Sequence, residues 1–135
     1  MSRRGMTILE TVVAIACLGI AATLVTQLAA WSLNERARAD TRLAAMEWAA
    51  NILEKARAMP WAELTPEWAA KQTLPADLAE RMFNPTTSVV ITSEPNVTGL
   101  KRVAVNVTWY YGEGAKAPPV EFMTLFADKA TGGAP

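Results

Sequence analysis

From Thr11 to Asn34 the chain runs 24 residues without a charge, TVVAIACLGIAATLVTQLAAWSLN, and the pattern changes abruptly at Glu35. At 1.5 Å per residue this run makes a helix of about 36 Å, enough to cross a hydrocarbon core of about 30 Å. It exceeds the apolar region of about 7–15 residues in a secretory signal peptide, so it reads as an anchor. From Glu35 to Ala58 charges return, with no Gly or Pro before Pro60. Leu43, Met46, Ala50 and Leu53 recur there at steps of three and four, which marks an apolar stripe on a helix. The pattern therefore predicts one helix from about Met6 to Ala58, hydrophobic all round in its first half and amphipathic in its second. A coiled-coil seam or a cofactor-lining face would use the same stripe, but packing on the protein's own sheet is the simplest role. Trp48 falls off the stripe's centre, at a core edge or a partner contact.

Pro60 ends this helix, and Pro66, Pro75 and Pro85 punctuate the next section. Thr65-Pro66-Glu67 reads as cap, first-turn proline and favourable acid of a short helix, and Pro75 starts a second. Trp61 and Trp68 are expected to plug this loop onto the domain. Strand signals follow: TSVVITS, then KRVAVNVTWYY, then VEFMTLFA after the loop GEGAKAPP. In the second of these, Val103, Val105, Val107, Trp109 and Tyr111 alternate with Arg102, Ala104, Asn106, Thr108 and Tyr110, which assigns two faces to the strand. VEFMTLFA is expected to return as its hairpin partner. The aromatic row suits cross-strand packing better than a ligand platform. The fold class is then α+β: a long N-terminal helix, membrane-spanning in its first half, packed on a small antiparallel sheet of three strands.

Composition narrows the function. The chain has 13 basic and 13 acidic residues, and without Arg3, Arg4 and Glu10 the part beyond residue 34 keeps 11 basic and 12 acidic. No basic cluster offers a footprint for nucleic acid. Histidine is absent, which removes the commonest general base and metal ligand. The single cysteine, Cys17, lies inside the apolar run and allows no intrachain disulfide or multi-cysteine metal site. No downstream Asp or Glu stands in a paired catalytic motif. The expectation is a non-enzyme without cofactor or metal. Asn96-Val97-Thr98 and Asn106-Val107-Thr108 match glycosylation sequons, but the second lies within a strand and neither is expected to be used.

Glu10 is the anomaly, because a carboxylate at the centre of a membrane helix costs about 2.5 kcal/mol or more. Its bland role is to snorkel to the headgroups at the N-terminal flank of the span. Arg3 and Arg4 precede the span and keep the N-terminus cytoplasmic by the positive-inside tendency. Ser2-Arg3-Arg4 also has the look of a twin-arginine address, but Met6-Thr7 suits it poorly and Glu10 would break its apolar region. AIAC before Cys17 is a weak lipoprotein box, and QLAAW is a conceivable cleavage site releasing a free domain.

RRGMTILETVVAIACLGIAATLV resembles the N-terminus of type IV pilins and pseudopilins. In that family a short basic leader ends in Gly, prepilin peptidase cuts after it, and the apolar helix carries Glu at the fifth mature position. The resemblance implies cleavage between Gly5 and Met6, N-methylation of Met6, and Glu10 as the assembly residue. Met6 stands where the family usually has Phe. Cleavage would create an α-ammonium one turn from Glu10, and the resemblance implies that Glu10 pairs with that group on a neighbouring subunit, setting the axial register. Gly5, lacking a side chain, gives a protease close access to its backbone.

The implied organisation is a leader over 1–5, a transmembrane and assembly helix over 6–34, and a periplasmic domain over 35–135. Within that domain the helix end covers 35–58, a variable loop 60–86, a sheet 87–127 and a tail 128–135. WAANILEKARAMPWAEL and LKRVAVNVTWYYGEGAKAPPVEFMTLFAD resemble the helix end and final hairpin of the small minor pseudopilin of type II secretion and of pilus-modification minor pilins. Neither a C-terminal Cys pair nor an acidic calcium loop, as in major subunits, is visible. The resemblance implies a pilin-like α+β roll anchored in the bacterial inner membrane by a single pass. Its implied partners are prepilin peptidase and other pilin or pseudopilin subunits, and its implied role is to help start a short filament of type II secretion or of a type IV pilus. The alternative is a single-span, membrane-anchored periplasmic interaction module that joins no filament.

Overall fold

A computed structural model describes residues 7–128 of the chain. The chain divides into two compact units, residues 1–39 and 40–135. Helix α1 runs from Ile8 to Ala58, 51 residues, as its Ala- and Leu-rich composition and the absence of proline favour. Its last turn carries Lys55 and Arg57, cations that suit the negative end of the helix dipole.

In the second unit, the end of α1 is followed by a 3-10 turn at Trp61–Glu63 and two short helices, α2 at Pro66–Ala70 and α3 at Ala76–Glu80. Both helices start where the prolines place them. Thr65 caps α2, its hydroxyl accepting a hydrogen bond from the Trp68 amide at 3.4 Å. Four strands follow: β1 Phe83–Ser93, β2 Leu100–Tyr111, β3 Ala115–Lys116 and β4 Val120–Ala127. The central strand, β2, pairs antiparallel with β1 along one edge and with β4 along the other, where β3 adds two residues at its end. The expected hairpin of β2 with VEFMTLFA is therefore present, in the register Val107↔Val120 to Leu100↔Ala127.

The architecture is the expected α+β, with a long N-terminal helix packed on a small antiparallel sheet. The alternation read in β2 holds closely: Val103, Val105 and Val107 are fully buried and Trp109 nearly so, while Ala104, Asn106 and Thr108 face the other way and stay half-exposed. The strand count differs from expectation by β3, a two-residue ladder inside the predicted loop, closed through Gly112 at φ 68°. β1 begins at Phe83 rather than Thr87. It passes Pro85 by a register shift between Phe83 and Thr86, with Asn84 at φ 49°. A proline cannot donate to a ladder, and a bulge is where a strand accommodates one.

The helix face is rotated from the predicted stripe. Leu43 is 56% exposed, Ala50 is exposed and Met46 half-buried, whereas Ala45, Trp48, Ala49, Ile52, Leu53 and Ala56 are buried. Only Leu53 belongs to both sets. Ala45, Ala49 and Ala56 share one buried cluster with the valine row of β2, and Trp48 and Ile52 supply the bulk that fills it. Trp48 is thus core, at 8% exposure, and not an edge residue.

Trp61 and Trp68 are both half-buried, and Trp68 packs on the core. Trp61 is held by a residue the sequence did not single out. The Lys101 ammonium donates to the carbonyls of Trp61 and Leu64 at 2.9 and 2.8 Å and sits 4.5 Å from the centre of the Trp61 ring. It ties the turn after α1 to the start of β2.

Two outcomes follow from this packing. In thermal unfolding of the detergent-solubilised chain, Ile52→Ala is expected to lose about 2–5 kcal/mol, while Leu43→Ala changes stability by about 0.5 kcal/mol or less. The predicted stripe, had it been the core, would give the opposite order. Lys101→Met, which keeps length and removes two charge-assisted hydrogen bonds, is expected to cost about 1.5–3 kcal/mol by the same measurement.

Candidate functional site

The site builds from the first turn of α1. The Thr7 hydroxyl accepts a hydrogen bond from the Glu10 amide at 3.3 Å, and the Thr7 carbonyl accepts from the Thr11 amide at 3.1 Å. Thr7 therefore acts as the N-cap, satisfying one of the amides that a helix start leaves without a partner. Thr7-Ile8-Leu9-Glu10 has the T-x-x-E spacing of a capping box. That spacing was available in the sequence as a signal for the helix start, and Thr7 is the residue that the sequence reading passed over. The Glu10 carboxylate itself makes no hydrogen bond or ion pair among the described residues and is exposed. A carboxylate in the first turn is favoured by the positive end of the helix dipole.

Glu10 opens a surface that is otherwise apolar. Ile8, Leu9, Val12, Val13, Ile15, Leu18, Ile20, Leu24, Val25 and Leu28 each expose more than half of their surface, and Trp31 and Leu33 about two-thirds. The most apolar 18-residue window of α1 has a mean hydropathy of 2.3, with none of it buried within the chain. Exposed apolar surface on this scale marks a membrane or protein contact. The helix is long and apolar enough to cross a membrane once. Thr23 and Thr26 return their hydroxyls to the carbonyls of Ile20 and Ala22 at 2.8 and 2.9 Å, so they add little polarity to this surface. Cys17 lies on it as a free thiol.

Of the residues singled out from sequence, Glu10 is described in place, whereas Arg3, Arg4, Gly5 and Met6 lie outside the described residues. The second unit offers two grooves. One, of about 590 Å³, is lined by Ala56, Met59, Trp61, Leu64 and Phe126, with Arg57 and Asp128 at its charged side. The other, of about 570 Å³, lies among Trp48, Asn51, Glu54, Lys55 and Gln72. Among the described residues no cluster of three carboxylates or thiols could hold a metal ion.

One carboxyl is perturbed. The Thr65 hydroxyl, and after it the backbone amide of Glu67, hold the Glu67 carboxyl below the usual carboxylate range. A depressed carboxyl favours the fold above its unfolded pKa, and that contribution fades as the pH falls through the folded one. The effect concerns the start of α2 alone.

Comparison with known proteins finds no match: no family model, no curated protein and no solved structure matches the chain.

The cap makes a local prediction. Thr7→Ala is expected to weaken the start of α1 by about 1 kcal/mol. Amide exchange at Glu10 would then be about fivefold faster in the micelle-bound chain, with exchange at Ile52 unchanged.

Proposed function

We propose that this chain is a minor pilin or pseudopilin subunit. It is processed by prepilin peptidase between Gly5 and Met6 and built into a type II secretion pseudopilus or a type IV pilus, where it aids filament initiation. The observation that carries the reading is Glu10. It is the one charge from Ile8 to Asn34, its carboxylate has no partner among the described residues, and it stands five residues after Gly5.

The mechanism follows from electrostatics in a medium without water. Before assembly the carboxylate lies near the start of the span, within reach of headgroups. Cleavage after Gly5 frees an ammonium on Met6. When subunits leave the bilayer side by side, the apolar surfaces of their helices pack on one another, and each Glu10 must find a cation. The Met6 ammonium of a neighbour is the group at a suitable depth. A pair held in low dielectric tolerates little misplacement, because removing one partner of a buried pair costs about 3–5 kcal/mol. Glu10 thereby converts non-directional apolar packing into one axial register. Arg3 and Arg4 hold the leader on the cytoplasmic side until the cut, which leaves the sheet-bearing unit in the periplasm.

Mass spectrometry of the chain isolated from membranes tests the processing: an N-terminus at Met6, with or without a methyl group, is expected. An intact Met1, or a cut near Ala30, would overturn the reading. Glu10→Ala is expected to be cut normally yet to be absent from sheared filaments. Normal incorporation of that variant would leave Glu10 as a headgroup-seeking flank and the chain as a membrane-anchored interaction module.

A further inference from the structure

The sheet has two outer strands, β1 and β4, and they differ in how their edges are protected. At β1 the ladder is interrupted by the register shift at Pro85, and α2 and α3 lie against the strand. Proline, irregular register and a covering element are devices that keep a sheet edge from pairing further. At β4 they are missing. Val120–Ala127 contains no proline, glycine or lysine and runs in unbroken register with β2. Among the described residues no strand lies along its other side, and no helix lies against it as α2 lies against β1.

The backbone groups that β4 leaves over are set by the ladder. Successive residues of an antiparallel strand aim their N–H and C=O groups at opposite edges. The Leu100 carbonyl of β2 accepts from the Glu94 amide, on the β1 side, at 2.9 Å. The carbonyls of Gly99 and Trp109 accept from the Asp128 and Ala117 amides, on the β4 side, at 2.7 and 3.0 Å. The odd-numbered residues of β2 therefore bond β4, and in the observed register they face Val120, Phe122, Thr124 and Phe126. The N–H and C=O groups of Glu121, Met123, Leu125 and Ala127 point the other way, to the open edge. The side chains of these four stand on the exposed face of the sheet, with Met123 61% and Leu125 51% exposed. On that face Met123 continues a row through Ala104 to Val90.

We propose that the open edge of β4 receives an extended segment of a partner protein, antiparallel to it, apolar at alternate positions and basic at both ends. The occupant is a strand because only another extended backbone offers a donor and an acceptor at each of these positions, two residues apart. Its apolar side chains fall beside Met123 and Leu125 and lengthen the row that starts at Val90. Its charge follows from the edge itself: Glu121 stands at one end, Asp128 at the other, and no cation lies between them. A second copy of β4 is a poor complement for the same reason. The register that would use all four outward residues is centred on Thr124, and it brings Glu121 of each copy next to Asp128 of the other, a placement that like charges oppose. The pairing rests on the fold of the second unit alone and not on the filament reading.

The test uses the full chain in detergent micelles and amide exchange read residue by residue by NMR. The probe is an eight-residue peptide, capped at both ends, with Lys first and last, Val at its fourth and sixth positions and Thr elsewhere. In the free chain, exchange is expected to be fast at Met123 and Leu125 and slow at Phe122 and Thr124, whose amides bond β2. At ten times its Kd the peptide is expected to slow Met123 and Leu125 about tenfold, with Phe122 and Thr124 unchanged. Methylating the backbone nitrogens of its two Val residues is expected to abolish the effect, as is Met123→Pro. That proline is compatible with the fold because the Met123 amide gives nothing to β2, and unchanged exchange at Ile52 checks it. Glu121→Lys, a surface change, is expected to weaken binding about two- to fivefold. The proposal is overturned by slow exchange at Met123 and Leu125 in the free chain, by an N-methylated peptide that binds as well as the parent, or by no slowing across the titration. Protection that grows with protein concentration alone also overturns it, by assigning the edge to a second copy. Glu10→Ala is expected to bind the peptide normally, so failure of the filament reading and failure of this pairing give different results.

Discussion

The second unit rests on the burial of one helix face and one strand row in a common core. Ala45, Ala49, Ile52 and Ala56 on α1 and Val103, Val105, Val107 and Trp109 on β2 form a single buried cluster, and every member is at most 2% exposed. Burial of these groups supplies the driving force that a sheet of this size cannot generate by pairing alone. The other features of the unit are arranged around it. β1 and β4 extend the row sideways, so that Ile91 and Val120 close its margins. The segment between α1 and β1 brings Leu64, Ala69, Leu78 and Met82 into the same cluster. Lys101 fastens the beginning of that segment, acting on two carbonyls and a ring at once.

The first unit presents a different surface. Along α1 up to Ala39 nothing is buried, and the large side chains face outward on all sides. A helix of this kind has no core to choose a face for it. In such a segment apolar residues are exchangeable and meaning is carried by the exceptions. Glu10 is such an exception, the one charged residue from Ile8 to Asn34. Its carboxylate has no hydrogen-bond or ion-pair partner among the described residues.

The legibility of the sequence varied with the strength of the local pattern. The period of two in β2 is unambiguous, since four consecutive inward positions are Val, Val, Val and Trp, and it located the strand, its faces and its partner β4. The start of α2 was equally plain, because Thr65-Pro66 combines a cap with a residue that suits the first turn. The large residues Leu43 and Met46 point the pattern to one face of α1, whereas the buried face carries Ala45, Ala49 and Ala56 beside Trp48 and Ile52. Alanine counts as weakly apolar in any sequence pattern, yet it makes up half of the buried face of α1. β3 and the residues of β1 ahead of Thr87 were hidden because glycine and proline in those stretches signal turns. There a bulge and a left-handed asparagine do the same work inside a sheet. The Lys101 contacts link positions 37 and 40 residues apart, a separation at which one sequence carries no periodic signal. At the candidate site Glu10 stood out as a charge out of place. Thr7 was overlooked, although the same four residues also spell a helix cap.

The alanine face of α1 has a consequence for how this chain can change over time. Ala45 and Ala49 have no exposed surface at all, and both belong to the buried cluster that holds the valine row of β2. Almost any replacement adds volume, and added volume there would lever helix from sheet along the whole row. The exposed leucines and valines nearer the N-terminus can drift among one another with little penalty. The most constrained positions of the chain are thus its plainest ones, and sequence variation among descendants of this chain would be expected to fall lowest at residues that carry a single methyl group.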